Sequence, residues 1–284
     1  MNLQFSFEGR GGSWSVKEVF NRYYLNFIKN NKEHNVTYVN SSFLYKGNPS
    51  SYFSPHIMVI KNLDNQKYII VSYWDRAYDL TLGHNGWDHP NCVDLITSSG
   101  IHQDMKYTPF SYVSYDLKYD KLSKESKSIF DKPKTELFFR GKLYGHRDEL
   151  KKTNNINIID NILSIDEYFN ELNENRISLS LNGAAEICNR DIEILSSKSV
   201  LLRLKLNQKF HNDLVPDFHY VSFEYDENPK TQSEIIIDKF NTIKNDIDYL
   251  HYISENGYKW YRKNGTVTSN VKILNNILNL EKLK

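Results

Sequence analysis

The sequence predicts an α/β fold of open sheets arranged in two successive layers. Three observations carry that prediction. The chain opens as an alternating strand, a glycine-rich turn and an amphipathic helix. Short apolar runs follow that end in polar or small residues. The strand–helix alternation then restarts after a highly charged stretch at residues 116–134. Helices and short buried strands in alternation are the pattern of layered α/β domains.

Residues 2–7 (NLQFSF) alternate polar and apolar, the period of a half-buried strand. Gly9, Gly11 and Gly12 make the next segment a tight turn, though they do not reproduce the dinucleotide fingerprint Gly-x-Gly-x-x-Gly. Ser13 or Ser15 can cap the helix that follows, where Val16, Val19, Phe20, Tyr23, Tyr24 and Phe27 recur at helical spacing. Residues 56–61 (HIMVIK), 67–73 (KYIIVSY) and 94–98 (DLITS) read as further strands. Trp74-Asp75-Arg76 follows the second of these and Ser99-Gly100-Ile101-His102 the third. In an open α/β sheet such strand ends line the ligand crevice.

Charge and Pro133 mark residues 116–134 as a linker, dividing the chain into a first domain at 1–125 and a second at 126–284, whose last helix can pack back on the first. In the second domain, strands are expected at 137–139, 156–159, 177–181, 200–204 and 219–223. Helices are expected at 148–152, 165–172, 191–196, 234–247 and 248–256, and from about 268 to the end. The first of these strands runs directly into Arg140-Gly141, with Lys142, His146 and Arg147 close behind. A basic group on a glycine turn at a strand's carboxyl end suits a phosphate or diphosphate. Further on, a strand ends at Asn182-Gly183, followed by the small residues Ala184 and Ala185. Arg190 and Glu193, three apart on a helix, share a face.

Composition bounds the partners. The 284 residues are 39% hydrophobic and 14% aromatic, enough for a sizeable core. Lys plus Arg (36) nearly balances Asp plus Glu (35), which argues against a nucleic-acid partner, since such proteins show a basic excess. No membrane span, signal segment or Walker loop is visible. Cys92 and Cys188 lack metal-ligand spacing and read as reduced thiols, in keeping with a cytoplasmic protein. Asp246-Ile247-Asp248 has the form of a metal-binding Asp-x-Asp, but its helical context reads as solvated surface.

The second half resembles glycosyltransferase family 90, which includes protein O-glucosyltransferases and capsule-associated xylosyltransferases. Phe138, Phe139, Arg140, Gly141, Arg147, Asp148 and Leu150 match that family's "FFRG…RD.L" segment. Gly183, Arg190 and the run Phe218-His219-Tyr220-Val221 match its later elements. Asp217 and Ser222 depart from the family's Trp and Pro, and residues 1–134 match poorly.

The resemblance implies a GT-B fold, two Rossmann-like domains facing across a cleft. It also implies an inverting sugar transfer from a nucleoside-diphosphate sugar, a UDP-sugar above all, to a hydroxyl of a glycan or protein. By position, Arg140 would bind the diphosphate with Gly141, Lys142, Arg147, Gly183 and Arg190. Glu193 would accept ribose hydroxyls, and His219 and Tyr220 would complete the donor site. GT-B enzymes stabilise the leaving diphosphate with cations and a helix amino end, so neither metal nor cofactor is expected beyond the donor cosubstrate. Asp75, following an apolar strand, is the candidate base, with Asp79, Asp88, His89 and His102 as rivals. Trp14, Trp74 and Trp87 could supply a sugar platform. The alternative is a non-catalytic carbohydrate- or nucleotide-binding protein on the same fold.

Overall fold

The computed structural model describes residues 1–8, 14–39, 57–73, 91–97, 108–110, 113, 116–143, 145–182, 186–207 and 209–284. Its first half is a six-stranded sheet. The strands are β1 (Asn2–Glu8), β2 (Asn35–Val39), β3 (Ile57–Asn62), β4 (Tyr68–Ser72), β5 (Cys92–Thr97) and β6 (Thr108–Pro109), in the order β2-β1-β3-β4-β5-β6. α1 (Trp14–Asn30) packs Val16, Val19, Phe20, Tyr23 and Phe27 onto Leu3 and Phe5 of β1.

The sheet departs from a purely parallel layer. β3 runs antiparallel to both β1 and β4, while the β1–β2, β4–β5 and β5–β6 pairs are parallel. The short link from Leu63 to Lys67 dictates this. A parallel crossover needs a dozen or more residues, so β3 and β4 can only form a hairpin. Gln66 turns it with φ 65°, and Asn62 N donates to Lys67 O at 2.8 Å. β2 carries no apolar run because it is an edge strand with much of its surface solvated.

The charged stretch expected as a linker is folded and packed. It holds α2 (Lys118–Leu122) and two 3₁₀ turns, Ser123–Glu125 and Ile129–Asp131. Its charges mostly face solvent, but Tyr119, Ile129 and Lys132 are buried. Lys132 Nζ donates to Leu172 O at 2.7 Å, and burial lowers its pKa to about 7. Ser126 Oγ donates to Ser196 O at 2.7 Å.

The second half is parallel throughout. Its strands are β7 (Phe138–Arg140), β8 (Asn157–Ile159), β9 (Ile177–Ser180), β10 (Val200–Leu204) and β11 (Val221–Phe223). α3 (His146–Lys152), α4 (Ile165–Glu174) and α5 (Asn189–Ser196) connect the first four of them. β7 pairs with β8, and β10 pairs with both β9 and β11. A Lys134–Asn175 bridge lays the approach to β7 against the start of β9, with Asn175 Nδ2 donating to Glu136 O at 3.0 Å. The order across this half is therefore β8-β7-β9-β10-β11. The chain builds outward from β7 to β8 and then reverses past β7 to β9. That reversal is the point where doubly wound sheets bind ligands, at the strands' carboxyl ends.

Three helices close the chain: α6 (Pro229–Ile243), α7 (Ile247–Asn264) and α8 (Val267–Ile277). The break between α6 and α7 falls at Asp246, whose side chain caps α7 by accepting from Tyr249 N at 3.0 Å. α8 packs in the first half's core, where Val267, Val271, Ile273 and Leu274 join Phe5, Val19 and Tyr73. Tyr73 Oη donates to Asn270 Oδ1, and Asn62 Nδ2 donates to Leu283 O at 3.0 Å. Among the described residues, no helix is long and apolar enough to cross a membrane.

Candidate functional site

The reversal point is flanked by Arg140-Gly141 at the end of β7 and by Leu181-Asn182 after β9. Arg190, in the first turn of α5, reaches across to it. Its guanidinium lies over the Phe139 ring, 4.3 Å from the centroid, and against Gly141. A β-carbon at 141 would lie 2.8 Å from Arg190 Cζ, so glycine is what lets the guanidinium lie there, and a side chain would displace it. The guanidinium hydrogen-bonds the half-buried Tyr168 of α4. Arg190 Nε is buried with no hydrogen-bond partner among the described residues. A buried cationic donor left unpaired is costly, and an anionic ligand would satisfy it.

Glu193 stands one turn further along α5. Burial raises its carboxyl to about 7, partly offset by Arg190 and by a hydrogen bond to Tyr119. Arg190, Glu193, Tyr168 and Tyr119 thus form one cluster, and α2 supplies a residue to it. The shared face of Arg190 and Glu193 is realised, but Glu193 already has a phenol partner.

The other expected residues divide. Arg147 is buried and donates to three carbonyls: Asn182 O at 3.0 Å, Lys142 O at 3.2 Å and Leu181 O at 2.7 Å. It staples the loop after β7 to the end of β9. Lys142 is exposed beside Gly141, and its side chain makes no ion pair with a described residue. Arg140 is already engaged. Its Nε donates to Glu171 Oε1 at 2.7 Å, its Nη2 pairs with Glu171 Oε2, and its Nη1 meets Asn161 Oδ1. The Glu171 hydrogen bond raises its pKa further. A bidentate carboxylate occupies the fork that a phosphate would need.

His219 and Tyr220 precede β11, at that strand's amino end rather than its carboxyl end. His219 Nδ1 accepts from Val215 N at 2.9 Å, and burial lowers its pKa to about 4. Tyr220 is fully buried in the core, its hydroxyl accepting from Leu206 N at 3.1 Å. Both are held in a turn and its packing. Gly9, Gly11, Gly12, Asp75, Asp79, Asp88, His89, His102 and Gly183 lie outside the described residues, as do Trp74 and Trp87. Trp14 opens α1.

Sequence reasoning missed Arg203, the one cation in the apolar strand VLLRL. It is buried and pairs with buried Asp191 at 2.7 Å. Its Nη2 also donates to Asn182 Oδ1 at 3.2 Å and Glu186 O at 2.6 Å. Arg147 and Arg203 together fix Asn182 from two sides. A lone arginine in an apolar strand was the available signal, because a buried charge must be paired.

No family model matches the chain, and no curated protein matches it. Solved structures do. One is an alpha-glucosyltransferase in complex with UDP and a 13-mer DNA containing a HMU base (12% identity, 98% of this chain and 99% of that one, TM-score 0.55). Another is an alpha-glucosyltransferase with UDP and a 13-mer DNA containing a central A:G mismatch (11%, 96% and 98%, 0.54). A third is an alpha-glucosyltransferase with UDP-glucose and DNA containing an abasic site (12%, 96% and 97%, 0.53).

The chain shares the GT-B fold of these structures. At this identity the likeness is one of fold, and family 90 in particular gains no support. The exclusion of nucleic acid is overturned, since these same-fold neighbours are DNA complexes. The near-zero balance misled because a sum over the whole chain hides local clusters of charge.

Proposed function

We propose that the protein is a glycosyltransferase that takes its sugar from a UDP-sugar and transfers it to a hydroxyl carried on DNA. The observation that carries this is Arg190, a half-buried side chain whose buried Nε has no hydrogen-bond partner among the described residues, set against Gly141 at the reversal point of a fold shared with UDP-bound enzymes. In this reading Arg190 takes the diphosphate with Lys142 assisting, and the amino end of α5 adds a favourable dipole. Gly183 is assigned to the same donor site by its place in the sequence after β9. These groups neutralise the negative charge that builds on departing UDP, without a resident metal. Arg147 and Arg203 hold the loops that frame the donor. Arg140 serves structure through Glu171. Glu193 orients Arg190 and is reserved for a donor hydroxyl.

In this reading residues 126–284 hold the donor and residues 1–125 the acceptor, with α2 reaching into the donor cluster and α8 packing on the first half. The acceptor hydroxyl is assigned to Asp75, with Asp79 and His102 as alternatives, because Asp75 closely follows β4 in sequence. Unmodified DNA bases carry no hydroxyl, so the acceptor is proposed to be a hydroxymethylated base. For the stereochemical course we take retention in place of inversion, since an alpha product from alpha-linked UDP-glucose keeps its configuration. The anomeric coupling of the product in NMR reads this directly.

The deciding experiment is UDP titration calorimetry on wild type and Arg190→Ala, followed by a radiolabelled transfer assay with UDP-glucose and hydroxymethylated duplex DNA. Tight UDP binding lost in the variant, together with label in the DNA, is the expected result. Unchanged UDP affinity in the variant sinks the donor site. Saturable UDP binding without transfer to any acceptor favours the non-catalytic alternative.

A further inference from the structure

A basic concavity lies where five elements converge. Arg22 comes from α1, Lys121 from α2, Lys124 from the 3₁₀ turn after it, Arg262 from α7 and Lys272 from α8. The first turn of α8 also lines it. The lining includes one carboxylate, Asp120, and both of its oxygens are engaged. Oδ1 accepts from Tyr261 Oη at 2.8 Å and Oδ2 from Val267 N at 3.0 Å. Arg22 Nε is shared with Glu18 at 2.6 Å, and Arg262 Nη1 donates to Ser123 Oγ at 3.2 Å. Lys121, Lys124 and Lys272 are exposed and form no ion pair with a described residue. Cations converging from separate elements repel one another, and the positive end of α8 adds to the excess. An external polyanion removes that repulsion.

The concavity is tied to the donor site by α2 itself. Tyr119 faces inward to Glu193, whereas Lys121, two residues on and therefore near the opposite side of the helix, lines the concavity. The thickness of one helix, roughly 10 Å with its side chains, separates the two.

We propose that this concavity seats the phosphodiester backbone of the duplex that presents the acceptor hydroxyl. This rests on the reading of DNA as acceptor. Lys121, Lys124 and Lys272 contact phosphates and supply affinity rather than sequence choice.

The test is fluorescence anisotropy of a labelled duplex over a KCl series, using the full chain. Wild type is compared with the triple variant Lys121→Ala, Lys124→Ala, Lys272→Ala and with the matching triple arginine variant, and UDP affinity is measured in parallel. The alanine variant should bind the duplex at least about tenfold more weakly at low salt. Its slope of log K against log[KCl] should flatten by about 2–3, three lost contacts at about 0.9 each. UDP affinity should not change, and the arginine variant should behave as wild type. If wild type binds duplex and the alanine variant keeps both affinity and slope, the concavity is not the seat, although DNA remains the acceptor. If wild type does not bind duplex while UDP binding persists, the acceptor reading fails and this proposal with it.

Discussion

The Arg190 guanidinium rests on the bare α-carbon of Gly141 and on the face of Phe139. Two segments 49 residues apart in sequence, one after β7 and one opening α5, thereby build a single cationic surface at the sheet's reversal point.

Gly141→Ala is predicted to push Arg190 out of this seat. UDP affinity should fall about tenfold, equivalent to about 1.4 kcal/mol. Calorimetric titration measures it, and thermal unfolding should show a much smaller change.

The two arginines favoured by sequence should separate cleanly. Arg190→Ala should weaken UDP binding about 10–100-fold, the loss of a charge-assisted hydrogen bond of about 1.5–3 kcal/mol. Arg140→Ala should instead destabilise the fold by about 1–3 kcal/mol by orphaning Glu171, with UDP affinity held within about twofold. A large UDP effect from Arg140→Ala would restore it as a donor ligand.

Breaking the buried Arg203–Asp191 pair should be expensive. Arg203→Met strands a buried carboxylate and should cost about 3–5 kcal/mol in urea unfolding. The double variant Arg203→Met, Asp191→Leu should recover much of that loss, because the uncompensated charge is gone.

Glu193 carries a pH signature. Its folded pKa is raised, to about 7 from a reference of 4.5, so between these values the folded state binds a proton that the unfolded state does not. Its contribution to stability is fully present below about pH 4.5 and is lost as pH rises through about 7. Glu193→Gln, neutral at every pH, should therefore gain stability relative to wild type as pH rises from 5 to 8. Melting temperatures across that range check it, and a constant difference would show that the carboxyl is not held protonated.

Most of the elements were legible in the sequence. β1, α1, β3, β4, β5 and all five strands of the second half stand on apolar runs or alternation that burial demands. β2 was hidden because a solvated edge strand needs no apolar run. The packing of residues 116–134 was hidden because its buried residues, Tyr119, Ser123, Ile129 and Lys132, sit among many solvated charges. Arg190 and Gly141 could each be named as site residues, but their contact could not be foreseen, since nothing in local sequence reports which strand end a helix will cross.

Sequence alone determined the layered α/β alternation, the hairpin forced by the short β3–β4 link, and the pool of cations near two strand ends. These follow from local periodicity, chain length and side-chain chemistry. Tertiary structure alone decided which of four guanidinium groups kept an unpaired nitrogen among the described residues. Arg140 met Glu171, Arg147 met three carbonyls, Arg203 met Asp191, and Arg190 kept an unpaired nitrogen over Gly141. A guanidinium's availability depends on partners brought from far along the chain, and those are set by the order in which strands pack.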